Sequence, residues 1–482
     1  MFVTSGAVLV LEILAARVLA PYVGDTLQTY TGIIGTVLAG IALGTWLGGR
    51  LADRVEPRRL LGPTVLIGGV LALLVLPLVA LFGPTLAGRE LSSIVFLAFV
   101  AFFAPAAVLS AVTPTVVKLQ LSTLDETGSV VGRLSALGTA GAIVGTFVTG
   151  FVLLAAFPTR PIVLGLGGAL AVTGLALWWW LSPRRGLARV AVAAVIAGGV
   201  SGFAPVPCEL ESAYHCVRLV PDPDRPGGHT LVMDALAHSY VDVDDPTHLE
   251  FAYVRAIVAA VDSHAPPGAS GYHIGGAGLT IPRHLAADGG GRQVVAEIDP
   301  ALLDLAVDEL GFEPDAEGVE VAIADARLDL AERAGAGFDV VVGDAFGGLA
   351  VPWHLTTVEF LAHVRAALDD DGVYAVNVID HPPLAFARAH AATLAQEFEH
   401  TAVVAPPERL DGDRGGNLVL LAGDRPVDPT ALSGQLAARD LDWQVHPDAG
   451  TWADDAQILT DDHAPVDQLL TPVPRRETTS PF

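Results

Sequence analysis

Lysine is almost missing from this chain. Lys118 is the only one among 482 residues, so arginine supplies nearly all of the 27 basic groups, against 53 acids and for a formal net charge of −26. Such a negative surface repels phosphates and excludes nucleic acid as a partner. Acid excess with a single lysine is also the pattern of proteins from a high-salt cytoplasm or brine, where screening relieves self-repulsion. Cysteine is nearly as scarce, with Cys208 and Cys216 alone. No histidine stands beside them at metal-ligand spacing, so no metal is expected. Outside the cell the two would close a small disulfide loop; inside they would be ordinary thiols.

The charge is not spread evenly. Residues 1–204 carry 7 acids and 12 bases, which leaves 46 acids and 15 bases for residues 205–482, a net of −31. The first part reads as a multi-pass membrane domain and the second as a very acidic soluble one. Apolar runs near residues 5–23, 30–47, 60–82, 92–117, 134–157 and 161–181 each supply the roughly 20 residues that a bilayer core demands. A shorter Ala- and Gly-rich run at 190–205 is a seventh candidate. The first run is too well continued by others to be a cleaved signal peptide.

Basic loop residues set the expected orientation. Arg50, Arg54, Arg58, Arg59, Lys118, Arg133, Arg184, Arg185 and Arg189 fall on one side, with only Arg89 and Arg160 on the other. The positive-inside rule then puts the N-terminus in the cytoplasm. With seven spans the acidic domain lies outside the cell membrane; with six it lies inside. Glu12 and Arg17 lie within the first span, either as part of a transport path or binding site or as structural pairs to neighbouring helices. Gly40, Gly44 and Gly48 recur every fourth residue and form one close-packing helix face.

The soluble part is expected to begin with a small β-rich lead-in and first helix over residues 206–262, followed by a Rossmann-like domain over 263–482; residues 1–205 form the membrane domain. Alternating apolar and polar positions in 211–245 suggest a small antiparallel sheet. Strand–helix alternation follows, as in a doubly wound parallel sheet. Its centre is GYHIGGAGLTIPRHLAADGGGRQVVAEIDP, residues 271–300. This reads as a strand, a turn at Gly275, Gly276 and Gly278, a helix, and a strand ending in Glu297 and Asp299. Glycines there let backbone approach a ligand, the helix start offers free N–H groups, and an acid about twenty residues on suits a ribose. Asp325 and Asp344 close two further strands and would open into the same crevice. Each acid alone could be a helix cap; their shared placement at strand ends favours a nucleoside site. His238, Tyr240 and His248, in HSYVDVDDPTHLEF, could line an acceptor pocket and include a base near neutral pH.

These residues resemble the spermidine synthases (polyamine aminopropyltransferases), and the whole chain resembles their membrane-fused branch. SGAVLVLEILAARVLAP and GIALGTWLGGRLADR are similar to that branch's opening spans, and LTDDHAPVDQLL to its closing motif. The resemblance implies a methyltransferase-type Rossmann fold, decarboxylated S-adenosylmethionine as co-substrate, and no metal. It makes GGAG the nucleoside loop, Glu297 the ribose acid, Asp325 the acid near the adenine amino group, and Asp344 the first aspartate of the catalytic DxxD. It matches Tyr214 and Glu250 to acceptor-binding segments. Gly347 replaces the second aspartate, His215 a glutamine and His248-Leu249 a Tyr-His pair, and the glycine loop lacks its aspartate. The lost groups are mostly ones that would hold a polyamine.

The reaction expected is transfer of an aminopropyl group to a small-molecule amine or other acceptor, in a lipid bilayer setting, with a homodimer left open. Two alternatives stand beside it: an S-adenosylmethionine-dependent methyltransferase, and a non-catalytic nucleoside-binding domain that regulates a transporter-like bundle.

Overall fold

The computed structural model describes residues 1–471 apart from 25, 87–90, 122, 124–126, 182–186, 288, 290, 315–317 and 349, and describes only the backbone of 187–191. Arg89, Arg184 and Arg185, which entered the loop-charge count, lie outside the described residues, as does the side chain of Arg189. The chain divides into two compact units, Met1–Val217 and Arg218–Phe482.

Among the described residues, six helices of the first unit are long and apolar enough to cross a membrane: Phe2–Val23, Leu27–Arg54, Pro57–Leu86, Leu91–Gln120, Thr127–Ala156 and Thr159–Leu181. Large apolar side chains such as Phe151 and Trp180 face outward, each 76% exposed. The expected seventh run forms a helix, Leu187–Gly202, of 16 residues. At about 1.5 Å per residue it falls short of a bilayer core of about 30 Å. The glycine stripe is a packing surface. A Cβ on Gly40 would stand 2.9 Å from the Phe103 carbonyl, one on Gly48 2.7 Å from Ala111 Cα, and one on Gly44 would overlap the Ala107 backbone. Any larger residue there would push the second and fourth helices apart.

The first unit ends in a hairpin of β1 (Leu210–Glu211) and the start of β2 (Cys216–Pro221), with Glu211 opposite Cys216. A Cys208–Cys216 disulfide closes it. Arg17 anchors this hairpin by donating to the carbonyls of Ala213, at 2.6 Å, and Ser212. Glu211 in turn accepts from the Thr159 amide at 3.0 Å and from its hydroxyl. The charge inside the first helix therefore serves two carbonyls of a tight turn.

In the second unit, β3 (Gly228–Met233) and β4 (Leu236–Asp242) form an antiparallel hairpin. An eight-stranded sheet follows, built from β5 (Gly271–Ile274), β6 (Gln293–Glu297), β7 (Val319–Ile323), β8 (Phe338–Gly343), β9 (Leu368–Asp380), β10 (His400–Ala405), β11 (Gly416–Gly423) and β12 (Gln444–His446). Its order is β12-β10-β11-β9-β8-β5-β6-β7. Strands β5 to β9 run parallel. The other edge is antiparallel, so the sheet is mixed rather than wholly parallel. The reason lies in the connection: between β10 and β11 there is only a short helix, Pro407–Leu410, too little for the crossover of a dozen or more residues that parallel strands need.

Both faces of the sheet are covered, which explains why its central strands are apolar without alternation. Tyr272, Ile274, Val341 and Val376 pack with Phe360, Leu361, Phe386 and Leu394 on one side. Val340, Val342 and Ala375 pack with Ile257, Val261, Leu432 and Leu436 on the other. Strand order reverses between β5 and β8. That reversal opens a crevice at the strands' carboxyl ends.

Candidate active site

Everything at the crevice follows from where β5 stops. Gly275, just beyond it, has φ 87°, and a Cβ there would lie 2.9 Å from the Asp344 carbonyl. Only glycine allows both the left-handed turn and this approach. The Asp344 amide donates to the Ile274 carbonyl at 3.0 Å, which fixes the two strand ends side by side. A Cβ on Gly278 would stand 2.6 Å from Val241 and 2.8 Å from Ser239 Oγ, because β4 lies over the turn. Thr280 Oγ1 donates to the Tyr240 carbonyl at 2.8 Å and fastens β4 to the helix Thr280–Ala287.

Glu297, at the end of β6, is buried and serves this turn. Its Oε2 accepts from the amides of Gly276 at 2.8 Å and Ala277 at 3.2 Å, and its Oε1 from that of Asp299 at 2.8 Å. A carboxylate has about four acceptor positions, so roughly one remains for another donor. Asp299 is buried and caps the helix Pro300–Asp308, accepting from Ala301 at 3.1 Å. Asp325 caps the helix Ala326–Glu332, with Arg327 at 2.9 Å and Leu328 at 3.2 Å as donors. Its other oxygen lies 3.4 Å from His354 Nε2. The cap reading thus describes both aspartates structurally, while Asp325 stays partly open beside His354.

Asp344 is the chemically distinctive group. Asn377 Nδ2 donates to its Oδ1 at 2.9 Å and the Tyr253 hydroxyl to its Oδ2 at 3.1 Å. Asn417 Nδ2 donates to Asn377 Oδ1 at 3.0 Å and so orients that amide. Loss of hydration pushes the Asp344 carboxyl up to about 6, although both hydrogen bonds pull it down. Burial, with Asp344 beside it, also raises the Tyr253 phenol, which stays a donor.

The other sequence candidates scatter. Tyr240 is buried, and its hydroxyl donates to Asp222 at 2.7 Å; its ring meets that of His248 edge-on at 5.6 Å. His248 Nε2 lies 3.1 Å from Glu250. His238 offers its backbone carbonyl to the Tyr253 hydroxyl at 3.3 Å. Tyr214 and His215 belong to the first unit, where Ser212 Oγ accepts from their amides at 3.0 and 2.9 Å. The sequence reading missed Tyr253, Asn377, Asn417 and His354. Asn377 carried a signal: it is a polar break in the apolar run of β9. Tyr253 carried none, since it fits the helical apolar periodicity of Ala252–His264. The closing motif anchors the same region, because Arg327 grips Asp461 with two bonds, at 2.8 and 2.6 Å.

No family model matches the chain. The polyamine aminopropyltransferase of Vibrio vulnificus (strain CMCP6) is 26% identical over 245 residues, 48% of this chain and 79% of that protein. The crystal structure of a probable spermidine synthase from Corynebacterium glutamicum ATCC 13032 aligns at a TM-score of 0.50 and 27% identity, over 56% of this chain and 100% of that one. The second unit has a spermidine synthase-like fold. A spermidine synthase solved with the transition-state analogue AdoDATO aligns at a TM-score of 0.37 and 16% identity, over 55% of this chain and 84% of that one, too loosely to carry an argument. The first two likenesses cover about half of this chain, a share similar to that of the second unit.

Proposed function

We propose that the second unit is an aminopropyltransferase that binds decarboxylated S-adenosylmethionine at the β5/β8 crevice and transfers its aminopropyl group to an amine. The observation that carries this reading is Asp344, held at the crevice by Tyr253 and Asn377 with its carboxyl pushed up to about 6. The amine nitrogen attacks the aminopropyl carbon on the sulfonium. The new C–N bond forms, the C–S bond breaks, and its electron pair leaves sulfur as a neutral thioether. Nitrogen then sheds a proton to Asp344, which at pH 7 is mostly ionised yet more basic than an ordinary carboxylate. The glycine turn and Glu297 fit the nucleoside: close backbone, a helix start, and a carboxylate with acceptor capacity to spare. Positioning two reactants supplies about 7–11 kcal/mol in well-oriented systems, so no metal is needed.

Titration calorimetry with decarboxylated S-adenosylmethionine and with S-adenosylmethionine, alongside chromatography of the thioether product, tests the proposal. We expect the decarboxylated donor to bind more tightly and Asp344→Asn to lose product formation while keeping that binding. Preference for the carboxylated donor would favour a methyltransferase instead. Binding without any transfer, unchanged in the variant, would favour a nucleoside-sensing domain.

We further propose that the first unit spans a cell membrane in multiple passes. Although at 16 residues it is shorter than the six long helices, the helix Leu187–Gly202 returns the chain to the end where Arg160 donates to the Ala204 carbonyl, opposite Arg54, Arg58 and Arg59, and so is read here as a seventh crossing. That path and the disulfide both support an exterior second unit, in which case the donor must be supplied there. An impermeant thiol reagent decides: labelling of intact cells only after external reduction fits this placement, and protection until lysis without reductant contradicts it.

A further inference from the structure

We infer that the first unit holds an anionic phospholipid, its phosphate between Arg17 and Arg160 and a chain along the neighbouring apolar groove. The inference rests on reading this unit as membrane-spanning. A pocket of about 40 Å³ opens at the end of the bundle, lined by Arg17, Tyr22, Val79, Arg160 and Glu211 among others. A water molecule needs roughly 10–15 Å³ on this measure, so the pocket takes a group the size of a phosphate and not a whole headgroup.

Charge argues the occupant's sign. Arg17, Arg160 and Glu211 are the charged residues of the lining, two cations against one anion, a net +1. Arg17 lies 3.9 Å from Glu211 and is also held by the carbonyls of Ser212 and Ala213. Glu211 has its Oε1 committed to Thr159. Arg160 is the less satisfied cation: one terminal nitrogen donates to the Ala204 carbonyl, while its Nε is buried with no hydrogen-bond partner. An unpaired buried donor on a cation is costly, and a phosphate oxygen would relieve it.

Continuity argues that the anion comes on a lipid. Ala80 and Pro205 line both this pocket and a wide apolar groove formed with Pro77, Leu81, Val200 and Phe203. Phe203 is 92% exposed and Leu81 67%, an outward apolar face beside the charged end. A free phosphate would use the pocket and ignore the groove. A phospholipid uses both, with its charge at the helix ends and its chain along the helices.

The test uses the full chain purified in detergent, after carbonate extraction has verified that it stays with membranes. Native mass spectrometry then compares phosphatidylglycerol with phosphatidylcholine. We expect at least about tenfold preference for the anionic lipid, weakened by Arg160→Gln, kept by Arg160→Lys, and weakened again by Val200→Trp, which fills the groove without touching the charge. Equal retention of both lipids, indifference to Arg160→Gln, or displacement by millimolar inorganic phosphate would each overturn the proposal. A chain released by carbonate would overturn the membrane reading itself, a separate result.

Discussion

The two sides of the crevice are held together by different kinds of bond. On the proposed nucleoside side, main chain does the work: three backbone amides, from Gly276, Ala277 and Asp299, converge on Glu297. On the proposed acceptor side, Asp344 is held by side chains, Tyr253 and Asn377, with Asn417 behind them. The first arrangement depends on a short run of glycines and one acid. The second depends on residues up to 164 positions apart, since it joins Tyr253 to Asn417. A site built from main chain tolerates change around it, whereas one built from side chains can be rewired singly. This fits the departures from the motifs that the resemblance implies, which spare Glu297 and Asp344 and fall mostly, though not wholly, on groups that would hold a polyamine.

The largest effect should come from Asp344→Asn. It keeps the shape and the bond to Tyr253 but removes the proton acceptor, and positioned bases contribute about 10²–10⁴-fold. We expect turnover to fall within that range, with donor affinity changed less than about threefold. A matching loss of donor affinity would mean the two sides are one unit, and the comparison would fail.

Glu297→Ala attacks the other side. It strips the acceptor from three backbone amides at once, and each unsatisfied buried donor costs on the order of 1–3 kcal/mol. Calorimetry should report donor binding weakened about a hundredfold, and thermal unfolding a lower midpoint. Retained affinity would show that the turn holds its shape without Glu297.

What could be read in the sequence divides along the same line. Gly275, Gly276, Gly278 and Glu297 sit within one strand–turn–helix–strand unit, so spacing alone brings them together. Asp344 was legible because it ends an apolar strand. Tyr253 was not, since a tyrosine at an apolar helix position reads as core until the neighbouring strand end is known. The roles of Asp299 and Asp325 as caps are local too, and equally available from residue type; the competing ligand reading came from their place at strand ends and, for Asp325, from the family resemblance. Non-local side-chain networks have no spacing rule, and the antiparallel edge of the sheet escaped notice because apolar strands look alike in either direction.

The acceptor side also sets the pH behaviour. With the Asp344 carboxyl pushed up to about 6, transfer should decline as pH falls through that value. Tyr253→Phe removes a donor to the charged form, so the acid limb should move upward by about half a unit to one unit, with a loss of rate at pH 7 of at most about twofold. An unmoved limb would mean that another group titrates. Unfolding must be followed in parallel, because His264, His273 and His390 are held near 4 chiefly by burial. Their unfolded value is about 6.5, so the unfolded chain takes up protons first. Stability should therefore fall from about pH 6.5 towards 4, by at most about 3 kcal/mol for each. Asp344 works the other way: its native pKa is raised, so it adds stability as pH drops through 6. Circular dichroism at each pH separates the kinetic limb from this loss.

The smallest effect, and the sharpest test of the asymmetry, is a gain. Gly347 is the position that the resemblance matches to the second aspartate of the synthase motif; it is exposed, and a Cβ there meets nothing closer than the Ala350 carbonyl at 4.0 Å. Gly347→Asp should therefore fold without strain. An exposed carboxylate near an ammonium is worth only about 0.2–1 kcal/mol, so the KM for a diamine should improve by no more than about fivefold, with turnover nearly unchanged. The same variant should leave a monoamine's KM untouched, because a monoamine has no second charge to meet the new acid. An equal gain for both amines would mean that the added charge acts through the general field of the crevice. A selective gain for the diamine would instead place the missing contact at Gly347, and would support the proposal that this crevice moves a proton without gripping a polyamine.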